Sequence, residues 1–402
     1  MAYLDHAATT PMRPEAIEAV SAQMADVGNA SSLHASGRRA RRVVEESREV
    51  IAAAIGATPS EVIFTAGGTE ANNLAIKGLF WRRREDHGER HRIVLSSVEH
   101  HALLDPARWL KSADNARVDE VAVGADGRVD PCAVTAAVAS DAESVAVVSV
   151  MLANNEVGAL QPVAEVVQQL HEFQVPVHTD AVQALGQVPV NFRELGVDAL
   201  SVSAHKLGGP TGIGALVLAR GTQPVPLLHG GGQEAQIRSG TLTVPAIAGF
   251  AAAMSAALSD REERTRRVKE LRDRLIAGVK SQVPSAVLNG PDPDSDLRLP
   301  GNVHFSFPGC EGDALLLLLD AKGVECSTGS ACSAGVAQPS HVLLAMGATP
   351  QIARSSLRFS LGWNSTAADV DAAVAAIGPA VERALRVRAG GSVVREAAAS
   401  LG

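Results

Sequence analysis

Between residues 60 and 220 the chain alternates short apolar runs with stretches of helical period. Glu61 to Gly68 (EVIFTAGG) reads as a strand entering a glycine turn, and Thr69 to Phe80 as the helix that follows. RIVLSS at 92–97, VAVVSVM at 145–151, VPVHTD at 175–180, ALSVSAHK at 199–206 and IGALVLA at 213–219 are nearly continuous apolar runs. Such runs fit strands covered on both faces, with Val166 to Phe173 as a crossover helix between two of them. Short buried strands alternating with helices predict an α/β fold with a mostly parallel sheet flanked by helices. The character changes at 244–283, a long helical stretch with a heavily charged middle that links the first unit to a second. NVHFSF at 302–307 and SLRFSL at 356–361 resume strand alternation. DALLLLLDAKG at 313–323 reads as a helix with Gly323 as its C-cap, and an Ala-rich helix starts at Ala367. The expected division is an N-terminal segment 1–20 packing with the smaller unit, a large unit 21–260, a small C-terminal unit 261–388, and a tail 389–402 expected to fray.

Composition narrows the function. Of 402 residues 46% are hydrophobic, enough for a large core, but only 3% are aromatic. Stacking on nucleic-acid bases is therefore disfavoured. With 36 Lys plus Arg against 44 Asp plus Glu the net charge is −8, so no broad attraction to phosphate backbones exists. The arginine clusters at 38–42 and 82–84 read as solvated helix faces. No apolar run reaches membrane-spanning length. MAYLDHAATT lacks the basic and apolar regions of a secretory signal, so the cytoplasm is the expected compartment. Four cysteines (Cys132, Cys310, Cys326, Cys332) form no C-x-x-C pair and no disulfide framework.

Three features carry chemistry. Ala66 to Glu70 (AGGTE) sits between a strand and a helix, where free N–H groups and the Thr69 hydroxyl could hold an anion; alone it reads more readily as a tight turn with Thr69 as N-cap. Asp180 ends a strand, the position where open α/β sheets bind ligands, and could pair with a protonated pyridine nitrogen. Lys206 ends another strand before a glycine-rich turn and could form a Schiff base. Separately these are an N-cap and a surface charge. Together, with the anion turn upstream, they favour pyridoxal phosphate (PLP).

At this point the chain resembles the NifS/IscS-type cysteine desulfurases of the fold-type I PLP enzymes, the class V aminotransferase-like family. The resemblance is carried by YLDHAATT at 3–10, GNASSLH at 28–34, FTAGGTEANNLAIKG at 64–78, VEHHALLD at 98–105 and ANNEVG at 153–158. HTDAVQALG at 178–186, SAHKLGGPTGIGAL at 203–216, GGGQEAQIRSGT at 230–241, STGSACSAG at 327–335 and SSLRFSLG at 355–362 continue it in family order.

The resemblance implies roles. Lys206 would bind the cofactor covalently, Asp180 would pair with the pyridine nitrogen and Gln183 would hydrogen-bond the ring hydroxyl. His100 would stack on the ring and move protons, while His101 stands where the family usually has Lys. Gly68, Thr69, Ser203 and His205 would hold the phosphate, and Thr241 would reach the phosphate of a neighbouring subunit, which implies a homodimer with composite sites. Asn155 would lie near cofactor and substrate, Arg358 would clamp the substrate carboxylate, and Asn29 and His34 would approach the substrate. Cys332, on a loop over 327–340 resembling the long-loop group, would take sulfur from L-cysteine as a persulfide, leaving L-alanine. The sulfur would pass to an acceptor such as an Fe–S scaffold, for cluster assembly or thiolation. Small residues around Cys332 leave the thiol accessible, but no adjacent Lys, Arg or His lowers its pKa, so activation must come from substrate or from a neighbour such as His100. The sequence leaves open whether Cys332 also ligates an Fe–S cluster; no other metal site is expected. Cys326 reads as a buried strand residue. Three rivals remain: selenocysteine lyase, separable by relative kcat/KM; an ordinary aminotransferase, which has no need of Cys332; and a scaffold that keeps PLP without turnover, which would release no alanine.

Overall fold

The computed structural model describes residues 1–329 and 338–399, with 387–399 described by backbone alone. Cys332 and most of the 327–340 loop lie outside the described residues.

Twelve strands occur in chain order: β1 Ala2–Tyr3, β2 Val62–Thr65, β3 Arg92–Ser96, β4 Arg117–Val121, β5 Val145–Ser149, β6 Val177–Asp180, β7 Ala199–Ser203, β8 Gly214–Leu218, β9 Val287–Leu288, β10 Asn302–Ser306, β11 Val324–Glu325 and β12 Ser356–Ser360. Seven of them form one sheet in the order β2-β8-β7-β6-β5-β3-β4. Strands β5 to β8 are buried at every position, as their β-branched apolar runs require when helices cover both faces. The edge strand β4 (RVDEV) is largely polar and half exposed, which is why no apolar run marks it. Parallel neighbours β4, β3, β5, β6 and β7 are connected through helices, whereas β7 returns directly into β8 and so pairs with it antiparallel. Gly208 and Gly212, at φ +91° and +78°, give that return its tight bends. The carboxyl ends of β2, β3, β5, β6 and β7 consequently face one edge of the sheet.

A second core is built from the antiparallel sheet β12-β10-β9, the parallel pair β1–β11, and helices Arg261–Gln282, Gly312–Asp320 and Ala367–Ala399. The 244–283 stretch is two helices, not one. It breaks at Asp260, whose carboxylate pairs with Arg13 and Arg264; Val244–Ser259 packs in the first core and Arg261–Gln282 in the second.

Two expectations are corrected. The 1–20 segment does not pack as a unit with the smaller core: Ala2 and Leu4 enter that core, while helix Pro14–Met24 lies on Val244–Ser259 in the larger one. Gly249 permits this approach, since a Cβ there would meet Val20 at 2.5 Å. Gly323 is not the C-cap of Gly312–Asp320; Ala321 is, and Gly323 (φ +76°) closes the next turn by donating to the Asp320 carbonyl. The last helix, Ala367–Ala399, continues past 388. Among the described residues no helix is long and apolar enough to cross a membrane.

Candidate active site

The strand ends converge on a cavity lined by Gly68, Thr69, Asn72, His100, Ala102, Met151, Asn155, Asp180, Val182, Gln183, Ser203, His205 and Lys206. Nine of the residues singled out in the sequence thus meet in one place.

The floor is set by three strands. Asp180 closes β6; its Oδ2 accepts from Asn72 Nδ2 at 2.6 Å and its Oδ1 from the Val182 N–H at 2.8 Å. Burial raises the Asp180 pKa, opposed by His100 and by these hydrogen bonds. A carboxyl in that state gains from any cationic group placed against it. Past β7, the turn Ala204–Lys206 carries His205 and Lys206 to the rim. Lys206 Nζ donates to the carbonyls of Ala7 at 2.5 Å and Ala8 at 2.8 Å, and Gln183 Nε2 donates to the same Ala7 carbonyl at 2.9 Å. Burial, then repulsion by Arg358, brings the Lys206 pKa down to about 8. The folded chain therefore holds a neutral, nucleophilic amine at far lower pH than an exposed lysine does.

That shift has a measurable sign. Lys206 gives up its proton near pH 8 when folded and near 10.5 when unfolded, so between these values the unfolded chain binds more protons and stability rises with pH. In the cofactor-free chain, the stability difference between wild type and Lys206→Met should move in favour of wild type across this window, by on the order of 3 kcal/mol. Chemical denaturation at several pH values checks it; a difference that does not change with pH contradicts the shift.

Opposite Lys206, β2 runs through Gly67 (φ +147°) into helix Gly68–His87. The first N–H groups of a helix lack internal acceptors, and here they border the cavity at Gly68 and Thr69. A Cβ on Gly68 would stand 2.8 Å from Val182 Cγ2, so any larger residue there would have to push Val182 aside. Ser203 and His205 face the same cavity; burial lowers the His205 pKa to about 4, and its Nδ1 hydrogen-bonds Thr9 Oγ1 at 3.1 Å. His100 caps helix His101–Ala113 by accepting the Ala102 N–H at Nδ1, which leaves the proton of the neutral ring on Nε2. Burial lowers its pKa as well.

Arg358 lies on β12 in the second core. Its Nη2 pairs with Asp5 Oδ1 at 2.7 Å and its Nη1 donates to the Asn155 carbonyl at 2.9 Å, while its buried Nε has no partner among the described residues. The guanidinium thus abuts the cavity through Asn155. Three expected residues are not brought to the cavity of this chain. Asn29 is exposed and accepts the Ser31 N–H; His34 is exposed and caps helix Ala35–Ala54; Thr241 is exposed. Sequence reasoning missed Asn72, Asp5, Met151 and the Ala7 and Ala8 carbonyls. Asn72 had a signal, being one helical turn after Thr69 in TEANN, and Asp5 stood within YLDHAATT; the carbonyls had none.

Residues 2–373 match the aminotransferase class-V family. An IscS-like cysteine desulfurase of Mycobacterium tuberculosis is 56% identical over 386 residues, which cover 96% of this chain and 98% of that protein. A solved NifS-like protein superposes with a TM-score of 0.87 at 33% identity, over 95% of this chain and 100% of that one. SspA, solved in complex with cysteine, aligns with a TM-score of 0.77 at 31% identity, over 90% and 99% of the two chains. The seven-stranded mixed sheet with its smaller companion core is accordingly the α/β fold of the fold-type I transferases, and the chain belongs to the aminotransferase class-V family, among its IscS- and NifS-like cysteine desulfurases.

Proposed function

We propose that this chain is a PLP-dependent cysteine desulfurase, converting L-cysteine to L-alanine and moving the sulfane sulfur to Cys332 as a persulfide. The observation that carries the reading is the convergence of Lys206, Asp180 and the Gly68–Thr69 turn on one cavity. The donor set fits the cofactor: a buried carboxyl for a pyridinium, a lysine amine for an aldehyde, and a glycine cradle at a helix N-terminus for a phosphate. Bound there, PLP supplies an electron sink that acidifies the substrate α-carbon.

The chain's own residues do the rest. Lys206 Nζ would hold the cofactor and could carry the α-proton of the substrate. Asp180 keeps the ring nitrogen protonated, with Asn72 holding the carboxylate in place. Gln183 would serve the ring hydroxyl, and His100, with its proton on Nε2, would lie by the ring and could move protons there. Gly68, Thr69, Ser203 and His205 grip the phosphate; His205, held neutral, contributes a hydrogen bond rather than charge. Arg358 takes the substrate carboxylate, with Asn155 beside it. The Cys332 thiolate attacks the substrate sulfur, so the C–S bond breaks as the S–S bond forms, leaving alanine and an enzyme persulfide. SspA, a relative solved with cysteine, supports that substrate class.

On this reading residues 21–260 are the cofactor-binding unit and 261–388 the smaller unit carrying the sulfur loop. Thr241 reaches the phosphate in a second copy of the chain in a homodimer, and Asn29 and His34 approach the substrate. The persulfide passes to an acceptor such as an Fe–S scaffold in the cytoplasm.

Arg358→Ala tests the substrate clamp. Cofactor absorbance should persist while KM for L-cysteine rises and kcat/KM falls by roughly 2–5 kcal/mol, the cost of losing one partner of a buried charged pair. Because Asp5 also loses its partner, Asp5→Asn serves as the stability control. Unchanged steady-state kinetics in a folded Arg358→Ala protein remove Arg358 from the site.

A further inference from the structure

Between the main sheet and the exposed Thr241 the backbone takes an unusual course. Glu234, Ala235 and Gln236 have φ of +47°, +55° and +65°, three consecutive non-glycine residues in the left-handed region. Side chains clash with the backbone there, and such residues normally occur singly. The other non-glycine positive-φ residues among those described, Asn115 and Gln174, are isolated. Something must hold a run of three.

The Glu234 side chain does so. Its carboxylate accepts from Arg48 Nη1 and Nη2 and from the Phe64 N–H, each at 2.7 Å. Arg48 also donates to the Val62 carbonyl and lies over the Phe64 ring at 4.6 Å. The turn is thus riveted to β2, the strand that leads into the Gly67–Gly68–Thr69 turn. Four residues on, Arg238 fastens to the same place from the other side. Its Nε and Nη2 donate to Glu70, 2.8 and 3.3 Å away, and Glu70 Oε2 accepts the Ala66 N–H. Gly240 then donates to Gln233 Oε1, and Thr241 emerges to solvent.

We propose that Arg48 and Glu234 are positioning residues: by holding the left-handed turn 234–236 against β2 they fix Thr241 in register with the phosphate turn of their own subunit, so that the two phosphate grips of a dimer are mechanically joined. The proposal rests on the reading that Thr241 serves the neighbouring subunit. A role in bulk stability alone does not account for the arrangement, since an apolar pair would hold the core without the desolvation cost of two buried charges and without a left-handed backbone.

The test uses PLP-loaded dimers of wild type, Glu234→Gln, Arg48→Lys, Ala235→Gly, Thr241→Val and the double variant Glu234→Gln/Ala235→Gly. Cofactor transfer to an excess of a scavenging apoprotein, KM, kcat and thermal unfolding are followed for each. Glu234→Gln and Arg48→Lys should release PLP about tenfold faster with KM for L-cysteine nearly unchanged. Ala235→Gly alone should match wild type. In the double variant glycine accepts the left-handed conformation without clash, so release should return at least halfway to wild type. Thr241→Val separates the two layers. Wild-type release there refutes the Thr241 reading itself; fast release there with wild-type release in Arg48→Lys overturns only the present proposal. Recovery of thermal stability in the double variant without recovery of the release rate also overturns it. Should Glu234→Gln fail to assemble, Arg48→Lys, which keeps the charge but loses the two-pronged contact, carries the same decision.

Discussion

Replacing Lys206 with alanine is expected to reduce alanine formation from L-cysteine at least about a thousandfold and to abolish covalent cofactor attachment. The magnitude follows from two duties on one amine. On the proposed reading Nζ both holds the cofactor and carries the α-proton, and it lines the same cavity as the buried Asp180. Its pKa of about 8 means that a neutral amine is available near physiological pH, which burial and the nearby Arg358 bring about together. Borohydride reduction followed by peptide mapping should label Lys206 in wild type and leave no lysine labelled in the variant. A reduced adduct on another lysine would move the site.

Cys332→Ser is expected to separate cofactor chemistry from sulfur capture. Every proposed PLP contact lies elsewhere, so the variant should fold, bind PLP and respond spectroscopically to cysteine, yet form no persulfide and almost no alanine. A serine hydroxyl is close in size but does not accept sulfur at neutral pH. The described ends of the loop abut the site: Ser327 exchanges backbone hydrogen bonds with Arg358, and Ser340 hydrogen-bonds Glu156, next to Asn155. Cys326 is no substitute. It is buried, and burial pushes its thiol up to about 12, so it stays protonated and unreactive. Cys326→Ser should turn over like wild type, with a stability loss of about 1–3 kcal/mol for a hydroxyl in an apolar place. Persulfide lost in Cys326→Ser but kept in Cys332→Ser would exchange the two roles.

Much of this architecture is legible in the sequence because buried parallel strands announce themselves. VAVVS and ALSVS contain almost nothing that tolerates water, and the polar ends of β6 and β7, Thr179 to Asp180 and Ser203 to Lys206, mark where a ligand can sit. The edge strand RVDEV escapes because one side of it meets solvent and its composition resembles a loop. The break at Asp260 escapes because both helices share one helical period across it; only the pairing with Arg13, far away in sequence, reveals the cut. The same distance hides the support of the site. Lys206 is held by carbonyls nearly two hundred residues upstream, and backbone groups leave no trace in residue identity. Arg48 and Glu234 look like surface charges until folding buries them against each other. Thr241, Asn29 and His34 are exposed and lie outside the cavity lining of the single chain.

The most direct test of the central claim is mass spectrometry of the PLP-loaded wild-type protein after brief exposure to L-cysteine without reductant, with alanine quantified in the same sample. The account predicts L-alanine in amounts matching the sulfur gained, and one added sulfur on the peptide bearing Cys332. Release of sulfide with pyruvate and ammonia in place of alanine, or added sulfur on any cysteine other than Cys332, contradicts it.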